Sequence, residues 1–291
     1  MAALGLVERL WPNAVLTLGF GGPAALVGYM RRDLVEQRSW ITESDYKEGL
    51  ALAQLAPGPM AAQTATFQVN LNDATTRRVL SAGGHMQSKE HWEQVYTKKS
   101  ETGVSWFQEH ALQSVQLISQ TGVAKDASII DVGGGASTLV DDLLAEGYRH
   151  VTVLDLSEAA LAAARVRLGS EARGVTWIAG DITKVELPRH AYEVWHDRAV
   201  FHFLTTREER VAYVNAVLHA VKPGGHVIVA TFAEDGPDKC SGLPVMRYSA
   251  DGLHAEFGAP FTLLQQKREE HHTPFGTVQK FIYCLCRKEA N

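Results

Sequence analysis

Three consecutive glycines, Gly133 to Gly135, separate the apolar stretch SIIDV from a segment of helical character in this chain of 291 residues. Glycines at such a place let the backbone approach a ligand closely, while the N-terminus of the following helix faces that ligand. A loop of this kind can hold a dinucleotide or a nucleoside cofactor. The run alone therefore indicates nucleotide chemistry without identifying the cofactor.

Acidic residues further along the chain distinguish between these cofactors. Asp155 ends the next apolar stretch about 20 residues later, where a carboxylate can accept hydrogen bonds from both ribose hydroxyls. Asp181, in the segment AGDI, ends the third stretch and is placed to accept a hydrogen bond from the adenine amine. Taken singly, such an aspartate could instead cap a turn or a helix.

The loop also lacks features of a dinucleotide site. It reads Gly133-x-Gly135-x-Ser137 and so misses the third glycine of the dinucleotide fingerprint. Asp141 and Asp142 follow in the first turns of the next helix, which is a poor setting for a pyrophosphate. The combination predicts a nucleoside cofactor without a pyrophosphate, a description that fits S-adenosylmethionine.

Alternating strand and helix patterns after residue 88 must position these residues. Apolar, strand-like stretches occur at SIIDVG, VTVLDL, VTWIAGD, YEVWHDRA and HVIVATF, and helical patterns occur at TLVDDLLAEG, AALAAARVRLG and REERVAYVNAVLHAVKPGG. This alternation predicts a parallel sheet with helices on both faces. Two further strand-like runs, FTLLQQKREE and VQKFIYCLCRK, are joined by the turn-rich HHTPFG. We therefore expect an α/β fold: a Rossmann-like, doubly wound, seven-stranded sheet with a C-terminal antiparallel β-hairpin and an N-terminal helical appendage.

The first 88 residues follow a different pattern. Ala14–Met30 is uncharged and close to the lower length limit of a membrane span, but its glycines and Pro23 interrupt it, and we expect a buried or partner-facing helix. Residues 18–65 contain Phe-Gly-Gly-Pro and Pro-Gly-Pro and resemble the opening segment of the chromate ion transporter family. Because that family has many spans, a gene-fusion remnant is the favoured interpretation. The expected organisation is a helical segment at 1–65, a linker at 66–88 and a catalytic domain at 89–291.

Composition narrows the partners and the compartment. The formal net charge of −5 and the isoelectric point of about 6.2 provide no global basic field, so no nucleic-acid partner is expected. The three cysteines, Cys240, Cys284 and Cys286, indicate free thiols in a reducing compartment. We expect a cytoplasmic protein, and membrane association of the N-terminal segment is not favoured.

Five motifs carry a second resemblance. In chain order they are IIDVGGGAS, LDLS, AGDI, WHDRAVFHFL and LHAVKPGGHVIVATF. Together they resemble the class I, seven-stranded S-adenosylmethionine-dependent methyltransferases, over residues 89–288. The resemblance implies that S-adenosylmethionine is the cofactor and that it is contacted by Asp131, Gly133, Gly135, Asp155, Leu156, Asp181, Ile182, Asp197 and Trp106.

Methyl transfer from a sulfonium is an in-line displacement, so an enzyme mainly aligns the nucleophile, excludes water and sometimes removes a proton. The resemblance places the end of the fourth strand, Trp195–Arg198, beside the methionine part of the cofactor and the substrate. His202, about one helical turn further on, is the candidate general base because histidine accepts a proton near neutral pH. A histidine without a role is the alternative. Asp197 and Tyr96 complete the predicted catalytic set.

The segment EHWEQVYTKKSETGVSWFQEH concentrates aromatic residues before the first strand. In the family that it resembles, such a segment folds over the cofactor as a lid, and Trp92, Tyr96, Trp106 and Phe107 suit a dry pocket. The spacing of Trp92 and Tyr96 also fits an ordinary amphipathic helix.

The methyl acceptor is expected to be a small molecule, methylated at sulfur, oxygen or nitrogen. Arg198 or Arg247 is available to pair with an anionic group of this substrate, with Phe107 as a further contact. HDRAVFHF resembles the thiopurine and thiol methyltransferases, whereas HWEQVY resembles the start of the protein lysine methyltransferases. A lysine methyltransferase and a membrane-associated transporter-accessory protein remain alternatives.

Cysteine and histidine near the C-terminus raise the separate possibility of metalloid chemistry. Cys240 precedes His271 and His272, which are borderline ligands, but Cys284 and Cys286 lack the C-x-x-C spacing of a zinc site. Structural cysteines and no metal site are therefore the expectation.

Overall fold

The computed structural model describes residues 89–98 and 101–290, together with Arg32. The helical segment and the linker expected at 1–65 and 66–88 lie outside these residues. By internal contacts the chain divides into Met1–Ser88 and Lys89–Asn291, and the helices and strands named here belong to the second unit. None of the helices described combines the length and the apolar character needed to cross a bilayer.

Seven strands form one sheet in the order β3-β2-β1-β4-β5-β9-β8. The first five strands are parallel, and β9 and β8 add to the edge as an antiparallel hairpin. Two very short strands, β6 and β7, form a separate ribbon. The predicted Rossmann-like sheet with its closing hairpin is therefore confirmed. The strands are Ser128–Val132 (β1), His150–Asp155 (β2), Thr176–Ala179 (β3), Tyr192–Arg198 (β4), Val221–Phe232 (β5), Lys239–Cys240 (β6), Leu243–Pro244 (β7), Phe261–His272 (β8) and Val278–Lys288 (β9).

Helices cover both faces of this sheet. They are residues 89–98 (α1), Leu112–Gln120 (α2), Leu139–Ala145 (α3), Glu158–Leu168 (α4), Arg207–Ala220 (α5) and Ala250–Phe257 (α6), with 3-10 turns at Glu101–Gly103, Gly169–Gly174 and Phe201–Phe203. The local sequence explains several helix starts. Thr206 and Glu209 form a capping box at α5, and the side chains of Ser157 and Ser249 cap α4 and α6.

Two apolar layers hold the helices to the sheet. On one face Trp195 and Tyr213 pack with the α6 residue Phe257, and on the other Ile118 of α2 packs with Leu143 of α3. Burying one such large side chain contributes about 1.5–3 kcal/mol. These layers fix the carboxyl ends of β1, β2 and β4, where the predicted site residues lie.

Two elements differ from the sequence expectation. The helix predicted to run through KPGG ends at Ala220, and β5 begins at Val221, because Pro223 cannot continue a helical hydrogen-bond ladder. Residues 233–257, in which no helix or strand is predicted from the sequence, contain the β6–β7 ribbon and α6. Both elements are too short to leave a periodic pattern, and Gly252 within α6 weakens its helical signal.

Candidate active site

The glycine loop passes directly over two carboxylates. Gly133 and Gly135 have φ angles of 72° and 35°, which side chains rarely adopt. A Cβ atom at Gly134 would collide with Oδ2 of Asp131, and one at Gly135 would lie 2.6 Å from Oδ2 of Asp155. The loop therefore requires glycine, and it brings main chain and two carboxylates together at the ends of β1 and β2.

Asp155 ends β2 and is buried beneath this loop. Its Oδ1 accepts a hydrogen bond from the backbone nitrogen of Ser157 at 2.8 Å. The pKa of Asp155 is raised to about 7, chiefly by burial, with a smaller contribution from the nearby Asp131 and Glu93 and against the opposing hydrogen bond from Ser157. A pair of hydroxyl donors would offset the desolvation of this carboxylate, so the site fits a ribose.

Helix α1 is anchored beside Asp155. The carboxylate of Glu93 accepts hydrogen bonds from the backbone nitrogens of Glu158, at 2.7 Å, and Ala159, at 3.1 Å, and from the Ser157 hydroxyl. It therefore satisfies free N–H groups at the positive end of α4. At the other side, His91 hydrogen-bonds to Ser241 between β6 and β7.

Aromatic side chains from α1 and the segment after it form a cluster above the glycine loop. Trp92 contacts the rings of Trp106 and Phe203 edge-on, at centroid distances of 5.6 Å and 5.2 Å. The indole nitrogen of Trp106 donates to the hydroxyl of Tyr96 at 3.2 Å. This packing agrees with a covering role, and movement of the segment as a lid stays a prediction.

A cavity lies between the glycine loop, the aromatic cluster and the end of β4. Several predicted site residues line it together: Tyr96, Trp106, Phe107, Asp131, Gly133 and Arg198. Ser114 and His196 line it as well, and they hydrogen-bond to each other and, through His196, to Asp131. Ser114 is not predictable as a site residue from the sequence, because a serine within a helix has no distinguishing local pattern.

Arg198 is held at the wall of the cavity by residues of the C-terminal hairpin. Its Nε donates to the hydroxyl of Tyr283 at 2.9 Å, one terminal nitrogen donates to Glu269 at 3.3 Å, and the guanidinium lies 4.2 Å from the ring centre of Phe281. Burial alone would lower the pKa of Arg198, but its interactions with Tyr283 and Glu269 outweigh burial and raise that pKa. Glu269 also accepts a hydrogen bond from Gln108 at 3.1 Å. Gln108, Glu269 and Tyr283 were not found from the sequence, since they are distant from one another along the chain.

His202 lies outside the cavity lining. It is fully buried between the rings of Phe203 and Phe232, at 4.5 Å and 4.7 Å, and its Nδ1 accepts a hydrogen bond from the backbone nitrogen of Phe232. Burial, assisted by the charge of Arg198, lowers the pKa of His202 to about 3. These surroundings disfavour the general-base role predicted for His202.

Asp197 is engaged in holding the turn after β4. Its two oxygens accept hydrogen bonds from the backbone nitrogens of Val200 and Phe201, at 2.8 Å and 3.0 Å, and from the hydroxyl of Tyr213 at 2.6 Å. Burial raises its pKa to about 6 against these bonds. A carboxylate with these partners stabilises the fold, so the geometry disfavours both the catalytic and the cofactor-binding role predicted for Asp197.

The remaining predicted residues are not among those that line the cavity. Oδ1 of Asp181 accepts hydrogen bonds from the nitrogen and hydroxyl of Thr183, and Lys184 lies 3.2 Å from Oδ2. Leu156 follows Asp155 and is half-buried, whereas Ile182 belongs to the apolar core. Arg247 is exposed and donates to the carbonyl of Gly236, away from the cavity lining.

The cysteines have the environment of packing residues. All three thiols are free and buried, and burial raises the pKa of each to about 12. Within residues 89–98 and 101–290, no group of three or more His, Cys, Asp or Glu side chains has an arrangement that could hold a metal ion. Cys240 is therefore a poor candidate for metalloid chemistry, which needs an accessible thiolate.

Comparison with known proteins assigns two segments of the chain. Residues 129–225 match the family described as methyltransferase domain, and residues 14–73 match the family described as chromate transporter. Over 51 residues the chain is 76% identical to the chromate transport protein of Cupriavidus metallidurans, covering 18% of this chain and 13% of that protein. It is 23% identical to EEF1A lysine methyltransferase 2 of Danio rerio, covering 52% of this chain and 70% of the relative.

A solved structure from work on the conversion of a disulfide bond into a thioacetal group during echinomycin biosynthesis is similar in fold. Its TM-score is 0.58 at 20% identity, and the match covers 70% of this chain and 93% of that one. At this identity the likeness concerns the fold alone. The chain spans only 13% of the length of the transport protein that it matches.

Proposed function

The chain carries an S-adenosylmethionine-dependent methyltransferase domain behind a chromate transporter segment, and we propose that it methylates a heteroatom of a small molecule. The accepting atom is sulfur, oxygen or nitrogen. The observation that supports this proposal most strongly is the glycine loop lying over Asp131 and Asp155, at the ends of neighbouring strands. This arrangement suits a cofactor that combines a ribose with a cationic amino-acid part.

The residues of this chain fit such a cofactor. Asp155 would accept hydrogen bonds from the ribose hydroxyls, Asp181 from the adenine amine, and Asp131 would face the amino-acid part. When bound, S-adenosylmethionine supplies an electrophilic methyl group. Tyr96 and Trp106 would exclude water from the place where the nucleophile approaches.

The covered cavity favours a small acceptor. The segment over the cavity is tied to the C-terminal hairpin by the hydrogen bond from Gln108 to Glu269 and by one from His271 to the carbonyl of Ser105, at 2.8 Å. Among the described residues that line the cavity, Arg198 has the permanent positive charge, so we assign it to an anionic group of the acceptor. Of the predicted catalytic set, only Tyr96 lines this cavity, and we retain it as the candidate for contact with the nucleophile.

Protein lysine methylation is the second candidate. The similarity to EEF1A lysine methyltransferase 2 of Danio rerio, over 52% of this chain, supports it. The two candidates differ in the size of the acceptor. A protein acceptor requires the cover over the cavity to open for a lysine side chain, whereas a small acceptor can be enclosed.

One labelling experiment separates the candidates. The full chain is incubated with methyl-labelled S-adenosylmethionine and with thiols, carboxylates and amines, and in parallel with a desalted protein extract. We expect label in the small-molecule fraction and formation of S-adenosylhomocysteine. Label confined to protein would favour the lysine methyltransferase. Fractionation of cells tests the transporter-accessory alternative, because a full-length chain found entirely outside the membrane fraction would remove its support.

A further inference from the structure

Three polar side chains from three elements form a continuous hydrogen-bonded chain under the glycine loop. Nδ1 of His196, on β4, lies 2.7 Å from Oδ1 of Asp131, on β1. Nε2 of the same ring lies 2.9 Å from the hydroxyl of Ser114, on α2. All three residues line the cavity, yet Ser114 is 1% exposed and Asp131 and His196 are each 2% exposed.

The partners define the role of each atom. A carboxylate only accepts hydrogen bonds, so Nδ1 of His196 donates to Asp131, and in the neutral imidazole Nε2 accepts from the hydroxyl of Ser114. Because the imidazole is fixed at both nitrogens, it holds Oδ1 of Asp131 in one orientation. The same residue types form hydrolytic triads. Here, however, the serine hydroxyl lies inside a helix and is almost completely buried, which leaves no approach for a substrate carbonyl.

The second oxygen of Asp131, Oδ2, indicates what these three hydrogen-bonded side chains could do. Oδ2 lies directly beneath Gly134, where a side chain would collide with it. Among the described residues no donor hydrogen-bonds to Oδ2. Asp155 lies near enough to Asp131 for the two carboxyl groups to interact, which adds to the negative potential there. An oxygen with this position and these neighbours is suited to a cationic donor.

We propose that His196 and Ser114 are positioning residues that present Oδ2 of Asp131 to the amino group of the methionine part of the cofactor. The inference rests on the proposed function, because it takes S-adenosylmethionine as the cofactor. It assigns to His196 and Ser114 no contact with the reacting atoms. It follows that loss of either side chain weakens recognition of the amino-acid part and leaves recognition of the adenosine part intact.

Two related ligands separate these parts. S-adenosylhomocysteine contains the amino acid, whereas 5′-methylthioadenosine contains the adenosine and sulfur without it. Titration calorimetry with the full chain measures both affinities without turnover. We expect His196→Ala to weaken binding of S-adenosylhomocysteine about tenfold, as for a charge-assisted hydrogen bond, and to leave binding of 5′-methylthioadenosine within about twofold.

Ser114→Ala provides the second variant, and thermal unfolding checks that each variant is folded. Ser114→Ala should weaken binding of S-adenosylhomocysteine relative to 5′-methylthioadenosine, by less than His196→Ala does. Ser114→Thr, which keeps the hydroxyl, should have the wild-type affinities. His226→Ala, on β5 and outside the cavity lining, is the matched control and should change neither affinity. Equal losses for both ligands, or no loss in either variant, would overturn the inference while the wild type still binds. A wild type that binds neither ligand would overturn the proposed function and this inference together.

Discussion

The carboxylate of Glu93 lies 2.7 Å from the backbone nitrogen of Glu158, although the two residues are 65 positions apart in the chain. Helix α1 thereby closes the N-terminus of α4 from outside, next to the buried Asp155. This contact joins the aromatic cover to the cofactor side of the sheet.

Removing the Glu93 carboxylate should release α1 and the aromatic cluster that covers the cavity, with little loss of overall stability. Glu93→Ala loses a capping interaction of about 1 kcal/mol, and the released α1 should lower the affinity for S-adenosylhomocysteine several-fold. Limited proteolysis should cut the segment before Leu112 faster than in the wild type. Glu90→Ala, an exposed change on the same helix, is the control. Equal proteolysis of wild type and Glu93→Ala would show that the contact does not hold the cover.

Cofactor affinity should depend on the ionisation of Asp155. The pKa of this group is raised to about 7 in the folded protein, chiefly by burial. Only the ionised carboxylate accepts from both ribose hydroxyls, so the affinity for S-adenosylhomocysteine should rise with pH through about 7. Asp155→Ala should weaken binding about a hundredfold. Asp155→Asn should weaken it with little pH dependence left, and a pH profile equal to that of the wild type would contradict the ribose assignment.

The same pKa shift predicts the pH dependence of stability without ligand. The folded-state pKa of Asp155 lies above the value of about 4 expected for an unfolded chain. The contribution of this group is therefore present in full below about pH 4 and is lost as the pH rises through about 7. Comparing the free energies of unfolding of wild type and Asp155→Asn at several pH values measures it. The difference between the two free energies should change between about pH 4 and pH 7. A difference that is constant over this range would contradict the raised pKa of Asp155.

Arg198 should control the acceptor rather than the cofactor. Arg198→Lys keeps the charge but loses the planar fork that bonds to Tyr283 and Glu269, so the KM for the methyl acceptor should rise about tenfold. Calorimetry should show an unchanged affinity for S-adenosylhomocysteine. Arg247→Lys, at the exposed position, should leave both quantities unchanged. An effect of Arg198→Lys on the cofactor alone would place this guanidinium at the methionine carboxylate instead.

His202 should prove to be a packing residue. His202→Ala removes a buried ring between Phe203 and Phe232, so the free energy of unfolding should fall by about 2–4 kcal/mol. The pH dependence of kcat in this variant should keep the wild-type shape. Loss of the acidic limb of that profile at unchanged stability would restore the general-base role.

The arrangement of the sheet could be predicted because it depends on local patterns. Apolar stretches ending in Asp155 or in the glycine loop are visible in the sequence, and the absence of a helix between β8 and β9 indicates the hairpin. The roles of His202 and Asp197 could not be predicted in the same way. Each depends on a partner from another element, Phe232 on β5 for the histidine and Tyr213 on α5 for the aspartate. Burial created by such packing decides whether a titratable group can act on a substrate.

The central claim is that the loop over Asp131 and Asp155 holds a sulfonium nucleoside. The most direct test is calorimetric titration of the full chain with S-adenosylmethionine, S-adenosylhomocysteine and NADH. We predict saturable one-to-one binding of the first two ligands and no binding of NADH. Binding of NADH, or the absence of binding by both S-adenosyl compounds, would contradict the account.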